Sequence, residues 1–115
     1  MQDIDTSVTL DKQQLRDVTL DDAELMQEIL TALIDDTSRQ MQLLEGAIEQ
    51  RDAQRCMRLA HYSKGACANV GAVSAAALLK LIECQASDLE FAACSEALSA
   101  LAQQVVLLRE QAKTL

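Results

Sequence analysis

FAACSEALSALAQQVVLL, residues 91–108, sets Phe91, Cys94, Leu98, Leu101, Val105 and Leu108 at intervals of three and four. That is the repeat of one face of an α-helix, and no proline or glycine interrupts it. Alone in water such a helix would expose its whole apolar stripe. It therefore requires other helices with matching stripes.

The residues upstream supply them. Val73 or Ser74 opens a helix whose inner side is read as Leu78, Leu79, Ile82 and Leu89. Before it, Asp52 is a suitable N-cap for a helix reaching Asn69 or Val70, and Gly71 suits the left-handed residue beyond its end. The inner stripe of that helix holds Cys56, Leu59, Cys67 and Val70, with Ser63 and Ala66 filling in. Earlier still, TLDDAELMQEIL (19–30) offers Thr19, Asp21 or Asp22 as a cap and an acidic first turn. Met26, Ile29, Leu30, Leu33 and Ile34, then Met41, Leu44, Ala47 and Ile48, continue the pattern. They predict one helix from about 22 to 50, with room for a kink near 35–38. LDKQQLRDV, 10–18, predicts a short helix with Leu10, Leu15 and Val18 inward, after a loose lead-in.

The fold expected is all-α, an antiparallel four-helix bundle with a short extra N-terminal helix. Residues 1–20 form the lead-in and short helix, and 21–115 form the bundle as a single domain. Composition agrees. The chain has no proline, its glycines are Gly46, Gly65 and Gly71, and its aromatics are Tyr62 and Phe91. One bundle consumes the 91–108 stripe, so a monomer is expected.

A net charge of −8 argues against nucleic acid as a partner, because neutralising phosphate needs a basic field. The acidic start MQDIDTSVTLDKQQ lacks the pattern of a signal peptide. The longest uncharged run, between Lys64 and Lys80, is too short and too rich in small residues to cross a bilayer. No membrane association is expected. Cys56, Cys67, Cys84 and Cys94 form no C-x-x-C pair and read as small apolar residues on helix faces, which fits a cytoplasmic protein.

The charge is uneven. Between 51 and 64 stand Arg51, Arg55, Arg58 and Lys64 against Asp52 alone. Inside that window lies His61, the chain's single histidine. On a helix His61 falls about 200° from Leu59, and so faces away from the core. Gln54, Met57, Arg58, Gly65, Ala68 and Ala72 share its face, with Lys64 and Asn69 at the margins. Beyond the imidazole this face shrinks to glycine and alanine. Mid-helix glycine costs about 1 kcal/mol relative to alanine, which is unexplained unless another protein must press close.

Other chemistry fits less well. Cys56 and Cys67 turn toward the core, so no thiolate–imidazole metal set converges and no metal site is expected. Ser63 is rotated about 200° from His61, which disfavours a serine–histidine nucleophile. What remains is phosphorylation of the imidazole. Lys64 lies within reach of a phosphoryl group, and Arg58 adds to the field or recognises an acidic partner.

His61-x-x-Lys64-Gly65-x-x-x-Asn69-x-Gly71-Ala72, with Ala60 before it and Ile82-Glu83 later, resembles the signature of histidine-containing phosphotransfer domains of bacterial multistep phosphorelays. The resemblance covers about residues 20–112. It implies a phosphocarrier without kinase activity of its own. His61 would accept a phosphoryl group from the aspartate of one receiver domain and pass it to another. Lys64 would steady that group, Gly65 would permit close docking, and Gly71 would end the helix. Asn69 would orient the imidazole region or meet the partner. Arg58, Ala68 and Ala72 would complete the docking face. The partners implied are response-regulator receivers and a hybrid sensor histidine kinase. No cofactor is expected on this chain, and Mg²⁺ is expected on the receiver. Ser63 and Ala75 depart from the family's larger aliphatic residues and imply local repacking with lower stability. Two alternatives stand beside this reading: a phosphoacceptor module loaded directly by a chemotaxis-type kinase, and an interaction bundle that docks without phosphorylation.

Overall fold

The computed structural model describes residues 4–115. Residues 1–3 of the lead-in lie outside the described residues. Five helices follow in order: α1 Lys12–Val18, α2 Ala23–Glu49, α3 Ala53–Val70, α4 Val73–Ser87 and α5 Phe91–Ala112. No strand occurs among the described residues. The four long helices run up and down, with α3 packed between α2 and α4, and α5 closing the bundle against α2 and α4.

Each helix starts and stops where side-chain chemistry allows. Asp11, Asp22 and Asp52 cap α1, α2 and α3, their carboxylates accepting from the amides of Gln14, Leu25 and Arg55. α2 runs as one continuous helix through 35–38, where the Ser38 hydroxyl donates to the Ile34 carbonyl at 2.8 Å. Gly71, at φ 94°, ends α3 in the left-handed region. Arg51 and Leu89 do the same work after α2 and α4 without being glycine, at φ 54° and 60°.

The core is aliphatic. Leu30, Leu44, Leu79, Ile82 and Leu101 are fully enclosed, and the 91–108 stripe lies inward, with Leu98 half-buried. By length and composition α5 could cross a membrane, but here its stripe packs into the bundle. α3 and the start of α4 bury several small residues, Ala60, Ser63, Ala72, Ser74 and Ala75, before the larger Leu78, Leu79 and Ile82. These two helices make the most extensive contact of any pair in the bundle.

Several sequence expectations are corrected. Val18 is about half exposed, because two turns of α1 can bury only Leu15. Leu89 lies outside, 66% exposed, because α4 ends at Ser87 and the chain turns there. Cys84 is exposed, unlike the buried Cys56, Cys67 and Cys94. The end of the lead-in is not loose. The Thr9 hydroxyl donates to Gln104 Oε1 at 3.0 Å, Leu10 is buried, and Ser74 donates to the Val8 carbonyl through both its amide and its hydroxyl.

Candidate functional site

His61 projects from the third turn of α3, its side chain 68% exposed. The orientation follows from what α3 buries. Cys56, Ala60, Ser63 and Cys67 face the core, and 61 falls on the opposite side.

The ring is exposed but held. Nδ1 lies 3.0 Å from Glu83 Oε2 on α4, while Lys64 Nζ donates to the other oxygen, Oε1, also at 3.0 Å. One carboxylate thus bridges the imidazole and the ammonium. Burial acts to raise the Glu83 pKa, but the Lys64 ammonium and the His61 ring outweigh it and hold the carboxyl below its ordinary value. An ionised Glu83 can only accept, so Nδ1 carries the proton. The lone pair of the neutral ring is then on Nε2, which has no partner among the described residues.

Other expected residues sort into three groups. Lys64 and Gly65 sit with His61 on the outer face. A Cβ on Gly65 would meet nothing within 4 Å, so nothing inside the molecule demands glycine there. The same holds at Gly46 on α2, for which the structure supplies no reason. Arg58, Ala68 and Asn69 are exposed on the same helix. Ala72 is not part of this face. It is fully buried as the residue before α4, because the left-handed turn at Gly71 takes the chain off the helical wheel on which Ala72 had been placed.

Glu83 carried no role in the sequence reading, although it belonged to the resemblance. A signal was present: Glu83 is the sole carboxylate in the α4 sequence VSAAALLKLIECQAS. Two further contacts were not foreseen. The Tyr62 hydroxyl donates to Asp36 on α2 at 3.2 Å, which raises the Tyr62 pKa. Gln14 of α1 donates to the Ala68 carbonyl at 2.6 Å, laying α1 across the end of α3.

Neither alternative chemistry finds its parts together. Burial pushes the Cys56 and Cys67 thiols up and raises Cys94 to about 11, which keeps all three protonated. No cluster of metal-ligating side chains forms among the described residues. Ser63 is 1% exposed on the core side of α3, remote from the imidazole's open face.

Comparison with known proteins bears on the whole arrangement. The pattern of the Hpt domain family matches residues 28–111. Among solved structures, histidine-containing phosphotransfer protein B from Pseudomonas aeruginosa PAO1 superposes with a TM-score of 0.85 at 23% identity, covering 95% of each chain. At that identity the likeness is one of fold. No curated protein matches the sequence.

Proposed function

This chain belongs to the Hpt domain family, and from that premise we propose that it is a phosphocarrier between receiver domains, with His61 as the phospho-acceptor. The observation that carries the reading is the Glu83 bridge. It engages Nδ1 and leaves Nε2 without a partner among the described residues on an exposed side chain, which supports Nε2 as the nucleophile.

In the proposed step, Nε2 attacks the phosphorus of a receiver's aspartyl phosphate. The N–P bond forms as the O–P bond breaks, and the aspartate leaves as a carboxylate. The ring keeps its proton on Nδ1 and becomes a phosphorylated imidazolium, whose positive charge lies 3.0 Å from the Glu83 carboxylate. Reversal onto a second receiver's aspartate restores the neutral ring. This chain contributes a rigidly placed nucleophile and compensating charge, and the receiver contributes its acidic pocket with Mg²⁺. Lys64 starts bound to Glu83 and lies one turn from Nε2, placed to move its ammonium toward the incoming phosphoryl oxygens. Kinase activity would lie elsewhere, in a hybrid sensor kinase, and the carrier would act as a monomer in the cytoplasm.

The test is incubation with phosphorylated receiver domains and, separately, with an ATP-loaded chemotaxis-type kinase. The reading predicts acid-labile, alkali-stable label from receivers, abolished in His61→Gln and slowed in Lys64→Ala. Label from the kinase alone would transfer the assignment to the directly loaded module. Receiver binding without label would leave an interaction bundle.

A further inference from the structure

Four of the chain's cations, Arg39, Lys64, Arg109 and Lys113, stand in ion pairs. Arg55 and Arg58, on the first two turns of α3, have no such partner among the described residues. Arg51 is occupied differently, its guanidinium 5.8 Å from the centre of the Phe91 ring. Glu45 lines the groove between α2 and α5, and Asp88 and Glu90 line the pocket at the α4–α5 turn with Arg51. Asp52, which caps α3 through the Arg55 amide, is the one carboxylate among residues 51–64, and Arg55 and Arg58 outnumber it. Arg58 and Arg55 lie roughly 60° and 120° around α3 from His61, toward the α2 side where Tyr62 meets Asp36.

Toward the other end of α3 the charge reverses. There α1 is tied down by the Gln14 contact and by the Asp11 amide, which donates to the Gly71 carbonyl at 2.8 Å. Helix α1, its cap and the turn after it carry Asp11, Asp17, Asp21 and Asp22 against Lys12 and Arg16. At 1.5 Å per residue the basic and acidic flanks lie about 15–25 Å apart along α3. That exceeds a Debye length of about 8 Å, so the flanks do not cancel and each acts on what faces it. A docked domain covering about 800 Å² around His61 would touch both.

We infer that the docking face is polarised along α3 and fits a receiver domain whose rim is acidic where it meets Arg55 and Arg58 and basic where it meets α1. Docking the other way round would oppose like charges at both flanks. The pattern therefore selects the partner and sets the receiver's rotation over the imidazole. This rests on the phosphocarrier reading, and names the surface its partner must present.

The test uses the full chain and the receiver, loaded with acetyl phosphate, that gives the wild type the fastest uptake from a panel. Two variants each reverse one flank: Arg55→Glu/Arg58→Glu, and Asp17→Lys/Asp21→Lys. Circular dichroism and thermal melting check that both fold. The neutral pair Arg55→Gln/Arg58→Gln supplies a milder version of the first. Polarised docking predicts that both reversals slow uptake, by about tenfold or more at low ionic strength, with the loss shrinking as salt is added. Simple attraction by net charge predicts opposite signs, because the second variant makes the chain more basic. Faster or unchanged uptake in the second variant, or losses indifferent to salt, overturn the inference while the phosphocarrier reading stands. If the wild type takes label from no receiver, that reading fails and this inference with it.

Discussion

At His61 the two ring nitrogens are told apart by one carboxylate 3.0 Å away. Glu83→Gln keeps the shape but removes the charge, and should slow phosphoryl uptake by roughly tenfold, about the effect of misorienting a catalytic imidazole. The same carboxylate makes a pH-dependent contribution to stability. Its pKa in the folded protein lies below the ordinary 4.5, so the stabilisation is complete above 4.5 and is lost as pH falls through the lower folded value. Thermal melts of wild type and Glu83→Gln should differ at neutral pH and converge in acid below 4.5. Gly65 separates docking from folding. Gly65→Gln should raise helix stability by roughly 0.5–1 kcal/mol, since glycine is the poorer helix former and a Cβ there meets nothing. The same variant should slow transfer from receivers, because its side chain fills the approach to the imidazole. A variant that melts higher and transfers as fast as wild type would remove the docking rationale for this glycine. The outward direction of His61 was legible because a helical wheel needs only the register of Cys56, Ser63 and Cys67, all of which are buried. The role of Glu83 was not, because it depends on the spacing between α3 and α4, which one helix's periodicity does not contain.

Among the elements, α3 carries the site and also a defect. Ser63 is 1% exposed and its Oγ has no hydrogen-bond partner among the described residues, two residues after His61. Ser63→Ala should therefore stabilise the protein by about 1–2 kcal/mol in urea denaturation, the cost of leaving a buried hydroxyl unpaired. Uptake should be unchanged, since Ser63 faces the core. Equal or lower stability would show that the hydroxyl is satisfied. The links tell a similar story. Leu89 takes a left-handed backbone at φ 60° while 66% exposed, so Leu89→Gly should gain about 1 kcal/mol and raise the melting temperature by a few degrees. The five elements were legible because stripes and caps are local signals. Asp22, Asp52 and Gly71 each do what their residue types favour. Leu89 was misread as an inner residue because the turn that exposes it lacks the glycine or proline that marks turns in sequence. Ala72 was misplaced for a related reason: a wheel extended past Gly71 describes a helix that has already ended.

At the scale of the molecule, a bundle 42 Å long holds His61 on a flank bounded by helices that the sequence treated as separate features. The lead-in and α1 belong to this body. Leu10 and Leu15 are buried, Thr9 bonds to Gln104 on α5, and Gln14 bonds to the end of α3. Removing residues 1–19 should cost about 3–5 kcal/mol, from two buried leucines and their attendant hydrogen bonds, seen as a lower urea midpoint. An unchanged midpoint would mean that α1 merely rests on the bundle. How α1 closes over α3 was invisible in sequence, since nothing in LDKQQLRDV specifies which helix end it covers. The mechanism is decided by which atom receives phosphorus. Nitrogen-15 labelled protein, phosphorylated by a loaded receiver and observed by phosphorus–nitrogen correlation NMR, answers this in one spectrum. Phosphorus is expected on Nε2 of His61, with the proton retained on Nδ1 beside Glu83. Phosphorus on Nδ1, or on any residue other than His61, would contradict it.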